Sequence, residues 1–180
     1  MDNDFVINVN GQTARIAPGG CAVGDGRHPT TRLCQKLLEH HIRPGDRMLD
    51  LGCGSGILSI AALLCGAGHV TARDCDAVAV RQTRRNLEAN GFDAGRWDVN
   101  YSDLLRGVNG QFDLIVCNIA PGVAVRLCPE LSARLRPDGA VILSGFRTEK
   151  APEILVATER SSYACETHTL EGWAAVEGQI

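Results

Sequence analysis

The sequence predicts an α/β domain, a mostly parallel sheet covered by helices on both faces. Three observations carry that expectation. Short apolar runs alternate with segments of helical periodicity along most of the 180 residues. One apolar run, Arg47-Met48-Leu49-Asp50-Leu51, passes through a glycine-rich turn straight into a helix. The next apolar run ends in an acid, Asp74. Hydrophobic residues at 44% and charged residues at 22% supply a core of ordinary size, and the length suits one domain.

Taken in order, Phe5-Val6-Ile7-Asn8-Val9 alternates weakly and reads as a short strand or extended arm, closed by a turn at Ala17-Pro18-Gly19-Gly20. Helical periodicity begins after Pro29 and runs through Leu38, a proline at the first helical position suiting a helix start. After the 47–51 strand, a helix is expected over 57–65, a strand over 69–73 and an amphipathic helix over 77–90, closed by Gly91. A strand over 112–117 precedes a helix over 123–135, which stops before Pro137-Asp138-Gly139. The run 140–144 is a further apolar strand, 149–160 a helix, and 163–169 and 173–176 are alternating segments. No repeat or linker interrupts them.

Composition excludes some classes. A formal charge of −3 gives no basic stripe for nucleic acid, and Arg81, Arg84 and Arg85 read as the solvated face of a helix. No apolar run is long enough for a bilayer. The acidic start, Met1-Asp2-Asn3-Asp4, lacks a signal-peptide layout, so the expected location is the cytoplasm. The eight cysteines contain no CxxC pair and no Cys/His cluster at zinc spacing; they read as reduced and structural, with no metal site.

The chemistry concentrates in Leu49-Asp50-Leu51-Gly52-Cys53-Gly54-Ser55-Gly56. Gly52, Gly54 and Gly56 let the backbone approach a ligand, and the helix that follows presents its N-terminal amides. Asp50 and Cys53 belong to this turn, and Asp74 and Cys75 to the end of the next strand. An acid at position 74 can accept hydrogen bonds from ribose hydroxyls. A dinucleotide oxidoreductase would want the same acid, but these glycines are spaced G-x-G-x-G rather than G-x-G-x-x-G.

Residues 49–56 resemble motif I of class I S-adenosylmethionine-dependent methyltransferases. Four further stretches make the chain similar to PrmA-type ribosomal-protein lysine methyltransferases. They are Gly24-Asp25-Gly26-Arg27-His28-Pro29-Thr30-Thr31, Cys117-Asn118-Ile119-Ala120, the 135–145 segment around Pro137-Asp138-Gly139, and Trp173-Ala174-Ala175-Val176. The resemblance implies a Rossmann-like class I methyltransferase fold with a seven-stranded, mostly parallel sheet, and S-adenosyl-L-methionine as cofactor. It implies a catalytic domain over 23–180 behind an arm over 1–22, where the family carries a separate substrate-recognition domain.

By position, Gly52, Gly54 and Gly56 would face the methionyl moiety, Asp74 the ribose and Asp103 the adenine amino group. His28 and Thr30 would stand at the cofactor mouth, with Asn118 beside the transferred methyl group. Asn118 and His28 are the candidate catalytic residues. Asp25, Arg27 and Ala120-Pro121-Gly122 depart from the family pattern. The implied reaction is methyl transfer to an amine of a protein, peptide or small metabolite, and a homodimer is left open. Methylation of oxygen or carbon on a metabolite, and a non-catalytic cofactor-binding subunit, are the alternatives.

Overall fold

The computed structural model describes residues 4–17, 26–161 and 164–180. The expected turn at Pro18-Gly19-Gly20, the Gly24-Asp25 half of the signature, Cys21 and Tyr163 lie outside the described residues, as do Met1 to Asn3. A seven-stranded sheet forms the centre. Its strands are β3 (Arg47–Leu51), β4 (His69–Asp74), β5 (Trp97–Tyr101), β6 (Phe112–Asn118), β7 (Leu135–Arg147), β8 (Ala164–Leu170) and β9 (Trp173–Gln179). They lie in the order β5-β4-β3-β6-β7-β9-β8. The first five are parallel, whereas β9 runs antiparallel to both β7 and β8. The fold expectation holds, and β5, for which no strand is expected from the sequence, completes one edge.

Helices α1 (Pro29–His41), α2 (Ile57–Cys65) and α3 (Ala77–Ala89) cover one face. There they bury Leu38, Ile60 and Leu87 against Met48, Val70 and Leu114. Helices α4 (Pro121–Leu131) and α5 (Ala151–Glu159) cover the other, burying Leu131 and Ile154 against Leu49, Ile115 and Val141. A sheet buried on both faces explains why β3 and β6 read as near-continuous apolar runs. Alternation still sorts them, with Leu114 and Val116 on one face and Ile115 and Cys117 on the other.

The structure moves some boundaries. The expected arm is a hairpin of two strands, β1 (Phe5–Val9) and β2 (Gln12–Ile16). Asn10 and Gly11 both take positive φ, 50° and 78°, as a tight two-residue hairpin turn requires. Helix α4 starts at Pro121 and stops at Leu131, and a 3-10 turn over Ser132–Arg134 leads directly into β7. The expected break at Pro137-Asp138-Gly139 falls inside β7. There the pairing slips from Phe112↔Leu135 to Leu114↔Ala140, so the turn residues bulge out of the ladder without ending the strand. Helix α5 begins at Ala151, behind a 3-10 turn over Thr148–Lys150.

The hairpin is part of the core. Ile7, Val9, Ala14 and Ile16 are buried with α2. Its exit is held by Asn86 of α3 and by Asn90, the cap that ends α3. Asn90 accepts from the Arg15 amide (2.8 Å) and donates to its carbonyl (2.7 Å), and Asn86 accepts from the Ala17 amide (3.1 Å) and donates to its carbonyl (2.9 Å). Asn86 also donates to the Ser55 carbonyl at 2.8 Å, tying the hairpin to the glycine-rich turn. Arg81, Arg84 and Arg85 are exposed on α3, as their reading as a solvated face expects.

Truncating Ile16, which is 0% exposed, should leave a cavity under the hairpin. Ile16→Ala is expected to lower the unfolding free energy by about 2–5 kcal/mol, read by urea denaturation. A change near zero would mean that the hairpin is not docked.

Candidate cofactor and acceptor site

The sheet changes direction of growth at β3. From there β4 and β5 extend one way, and the chain then crosses back to place β6 and β7 on the other side. Such a switch point opens a crevice outside the carboxyl ends of the strands, and the glycine-rich turn follows β3 at that place.

The turn is fixed by hydrogen bonds to the neighbouring strand. Gly52 and Cys53 amides donate to the Arg73 carbonyl, at 2.8 and 3.1 Å. Gly54 N–H donates to Asp74 Oδ2 at 2.9 Å, and Asp76 N–H to Asp74 Oδ1 at 2.9 Å. Both carboxylate oxygens of Asp74 are thus oriented by backbone amides, each with lone pairs left for a ligand. Gly56 (φ 80°) starts α2, and Thr83 closes the turn from α3 with its hydroxyl on the Gly54 carbonyl at 3.0 Å.

Beside Asp74 lies a cavity of about 200 Å³. Gly52, Asp74 and Cys75 line it, together with Leu51, Ser102, Leu104, Ile119 and Val123. Those apolar walls were not singled out in the sequence. Leu104 lines the cavity with a left-handed backbone, φ 53°, which no local pattern signals. Asp103 is exposed between two lining residues and does not itself line the cavity. Ser102 hydroxyl donates to the Leu104 and Arg106 carbonyls and shapes this loop.

Two backbone approaches form the wall at Ile119. The Ile119 amide donates to the Ser144 carbonyl at 2.9 Å. A Cβ at Gly145 (φ 101°) would stand 2.3 Å from the Ile119 carbonyl oxygen, and one at Gly52 (φ 78°) would stand 2.5 Å from Ile119 Cγ2. Asn118 ends β6 here, half-buried and paired in register with Ser144, its amide making no hydrogen bond among the described residues.

His28 and Thr30 occupy the start of α1. His28 is the helix cap, its Nδ1 accepting from Thr30 N–H (3.4 Å) and standing 2.7 Å from Thr30 Oγ1. Accepting through Nδ1 leaves the ring proton on Nε2. The ring packs edge-on against Trp173 (centroids 4.4 Å), and the Arg147 guanidinium covers Trp173 at 5.1 Å. Thr30 is buried beneath the cap rather than open at a mouth.

Asp50 and Cys53 lie under the turn. Burial pushes the Cys53 thiol far up, so it serves as packing. Asp50 is 1% exposed, and Ser59 hydroxyl donates to its Oδ2 at 2.6 Å while Oδ1 has no hydrogen-bond partner. Burial pushes the Asp50 carboxyl up to about 7; the Ser59 bond opposes the rise and the charge of Asp74 adds to it.

The family described as Ribosomal protein L11 methyltransferase (PrmA) has a sequence model that matches residues 10–180. A ribosomal protein L11 methyltransferase of Exiguobacterium sp. is 42% identical over 158 residues, 87% of this chain and 50% of the relative. The chain thus spans about half the length of the curated relatives it matches. The crystal structure of a ribosomal protein L11 methylase from Lactobacillus delbrueckii subsp. bulgaricus superimposes with a TM-score of 0.77 at 33% identity. It covers 84% of this chain and 79% of that one. A T. thermophilus 16S rRNA N2 methyltransferase in complex with AdoMet and guanosine has a TM-score of 0.81 at 23% identity, a likeness of fold alone. It covers 98% of this chain and 50% of that one.

Two measurements test this geometry. Gly145→Ala should destabilise the fold by about 2–5 kcal/mol, because the backbone oxygen of Ile119 cannot move away from a Cβ without breaking the ladder. An unperturbed denaturation midpoint would refute the close approach. Asp50 gives a pH signature. Its folded pKa is raised, so its contribution to stability is complete below the unfolded value and is lost as pH rises through about 7. Asp50→Asn should therefore gain stability relative to wild type as pH rises from about 4 to about 8, by on the order of a few kcal/mol. A difference independent of pH would mean an ordinary carboxyl.

Proposed function

We infer the activity of this chain from one premise: it belongs to the ribosomal protein L11 methyltransferase (PrmA) family. The chain transfers a methyl group from S-adenosylmethionine to an amine nitrogen of a protein. Ribosomal protein L11 is the acceptor that the relatives' name supplies. The observation that carries the reading is the Asp74 carboxylate, held by the Gly54 amide at the mouth of a cavity with apolar walls.

The residues present fit the cofactor. Asp74 offers lone pairs on two oriented oxygens to a pair of ribose hydroxyls. Leu51, Leu104, Ile119 and Val123 form the apolar walls for a purine. The turn at Gly52 is a cradle that a side chain would fill. Asp50 holds an unpartnered buried oxygen, which a cationic ammonium would satisfy. When bound, S-adenosylmethionine supplies a methyl carbon already activated on a sulfonium.

What remains for the protein is alignment, exclusion of water and a neutral nucleophile. Asn118 has an uncommitted amide at the end of β6; its oxygen accepts an N–H of the incoming amine and turns the nitrogen lone pair toward the cofactor. His28, with Nδ1 committed to the cap, positions the start of α1 against Trp173, and water takes the proton of the amine. Residues 23–180 act as the catalytic unit in this reading.

Calorimetry with S-adenosylmethionine and a turnover assay on ribosomal protein L11 with labelled cofactor test the reading. Asp74→Ala should weaken cofactor binding by ~10–100-fold, the loss of charge-assisted hydrogen bonds. Asn118→Ala should bind the cofactor as wild type does while turnover falls at least ~100-fold. Full turnover by Asn118→Ala would remove its role, and absence of cofactor binding by wild type would end the whole assignment.

A further inference from the structure

A second cavity, about 480 Å³, lies away from this site, between α1 and the β8–β9 edge. Glu166, His168 and Glu177 stand on its sheet side, and Lys36 and His40 on its helix side. Glu166 and Glu177 are direct cross-strand partners. Two like charges in that arrangement repel, and natural strand pairs avoid it unless something intervenes.

The charges around them do not resolve the conflict. Glu166 forms no ion pair among the described residues, and Lys36 lines the cavity without pairing to either carboxylate. Glu177 is instead bracketed by histidines, with His168 Nε2 at 2.9 Å from one oxygen and His41 Nε2 at 3.0 Å from the other. The His41 contact lies off the line of a hydrogen bond, so that buried nitrogen has no hydrogen-bond partner. Ligating atoms of Glu166, His168 and Glu177 all lie within 4.8 Å of one another. A zinc ion with bonds of about 2.0–2.2 Å needs its ligands ~3.4 Å apart, which small rotations of two glutamates supply.

We propose that Glu166, His168 and Glu177 form a binding site for one zinc ion. One imidazole and two carboxylates are a borderline donor set, suited to Zn2+ over Mg2+ or Ca2+, which prefer all-oxygen ligands. His41 lies behind Glu177, its Nε2 3.0 Å from the other carboxylate oxygen. The ion replaces the contact between His168 and Glu177 and neutralises the Glu166–Glu177 pair. Because Glu166 and His168 belong to β8, Glu177 to β9 and His41 to α1, the ion pins the end of α1 to the sheet edge.

Titration of the chelator-treated full chain with Zn2+ tests this, followed by calorimetry and by circular-dichroism melting. The expected result is one equivalent bound with micromolar affinity, a higher melting temperature with zinc, and no competition from Mg2+ or Ca2+. Glu166→Gln and His168→Gln should each weaken binding at least ~10-fold and abolish the zinc-dependent rise in melting temperature. Glu166 is exposed, so its variant keeps the test valid should His168→Gln fail to fold. Undiminished binding by Glu166→Gln, no binding by wild type, or a thiolate charge-transfer band on Co2+ substitution would overturn the proposal, the last by placing the ion on cysteine. None of these readouts depends on methyl transfer.

Discussion

The site depends on how closely three backbone segments approach one another around Ile119. Its amide is bonded to Ser144, its carbonyl occupies the space of a side chain at Gly145, and its methyl group occupies that space at Gly52. Glycine is needed at 52 and 145 for two reasons at once, positive φ and absent volume. Through these contacts the ends of β3, β6 and β7 are brought together at the crevice. Asn118 immediately precedes this clamp, and the cavity has an Ile119 wall because Gly52 leaves room for it.

From that clamp outward, order is passed on by polar bonds. Asp74 holds Gly54, Thr83 holds the Gly54 carbonyl, and Asn86 joins Ser55 to the hairpin. The two neighbouring acids are treated differently as a result. Asp74 receives two backbone amides and partial access to water, whereas Asp50 receives one hydroxyl in a dry setting. Burial therefore raises the Asp50 carboxyl to about 7.

The legible part of the fold was the part written in apolar runs. Strands β3 and β6 are buried on both faces, and their sequences say so. Strand β5, WDVNY, has one buried residue in five and lies at the edge, so no apolar run marks it. Strand β2, QTARI, is similarly polar, although Asn10-Gly11 is a strong hairpin signal that was there to be read. At the site, motif spacing singled out Gly52 and Asp74, which line the cavity, whereas Asn118 came from the resemblance alone and does not line it. Spacing could not locate Leu104, Ile119 and Val123, which meet at the cavity from distant segments of the chain, Leu104 with a left-handed backbone. Asp103 shows the same limit, since it is exposed between two residues that line the cavity.

The same reasoning explains why the Glu166–His168–Glu177 group has no sequence signature. Zinc motifs are recognised by short spacing, whereas these ligands meet only through the β8–β9 register. Helix α1 connects this group to the crevice. Its first residue follows the His28 cap, and its last, His41, touches Glu177. Thirteen residues at 1.5 Å each make a rod of about 20 Å. Movement of one end must displace the other, because Leu33, Leu37 and Leu38 are buried along its length. Whatever fixes Glu177 therefore also constrains where His28 can stand against Trp173.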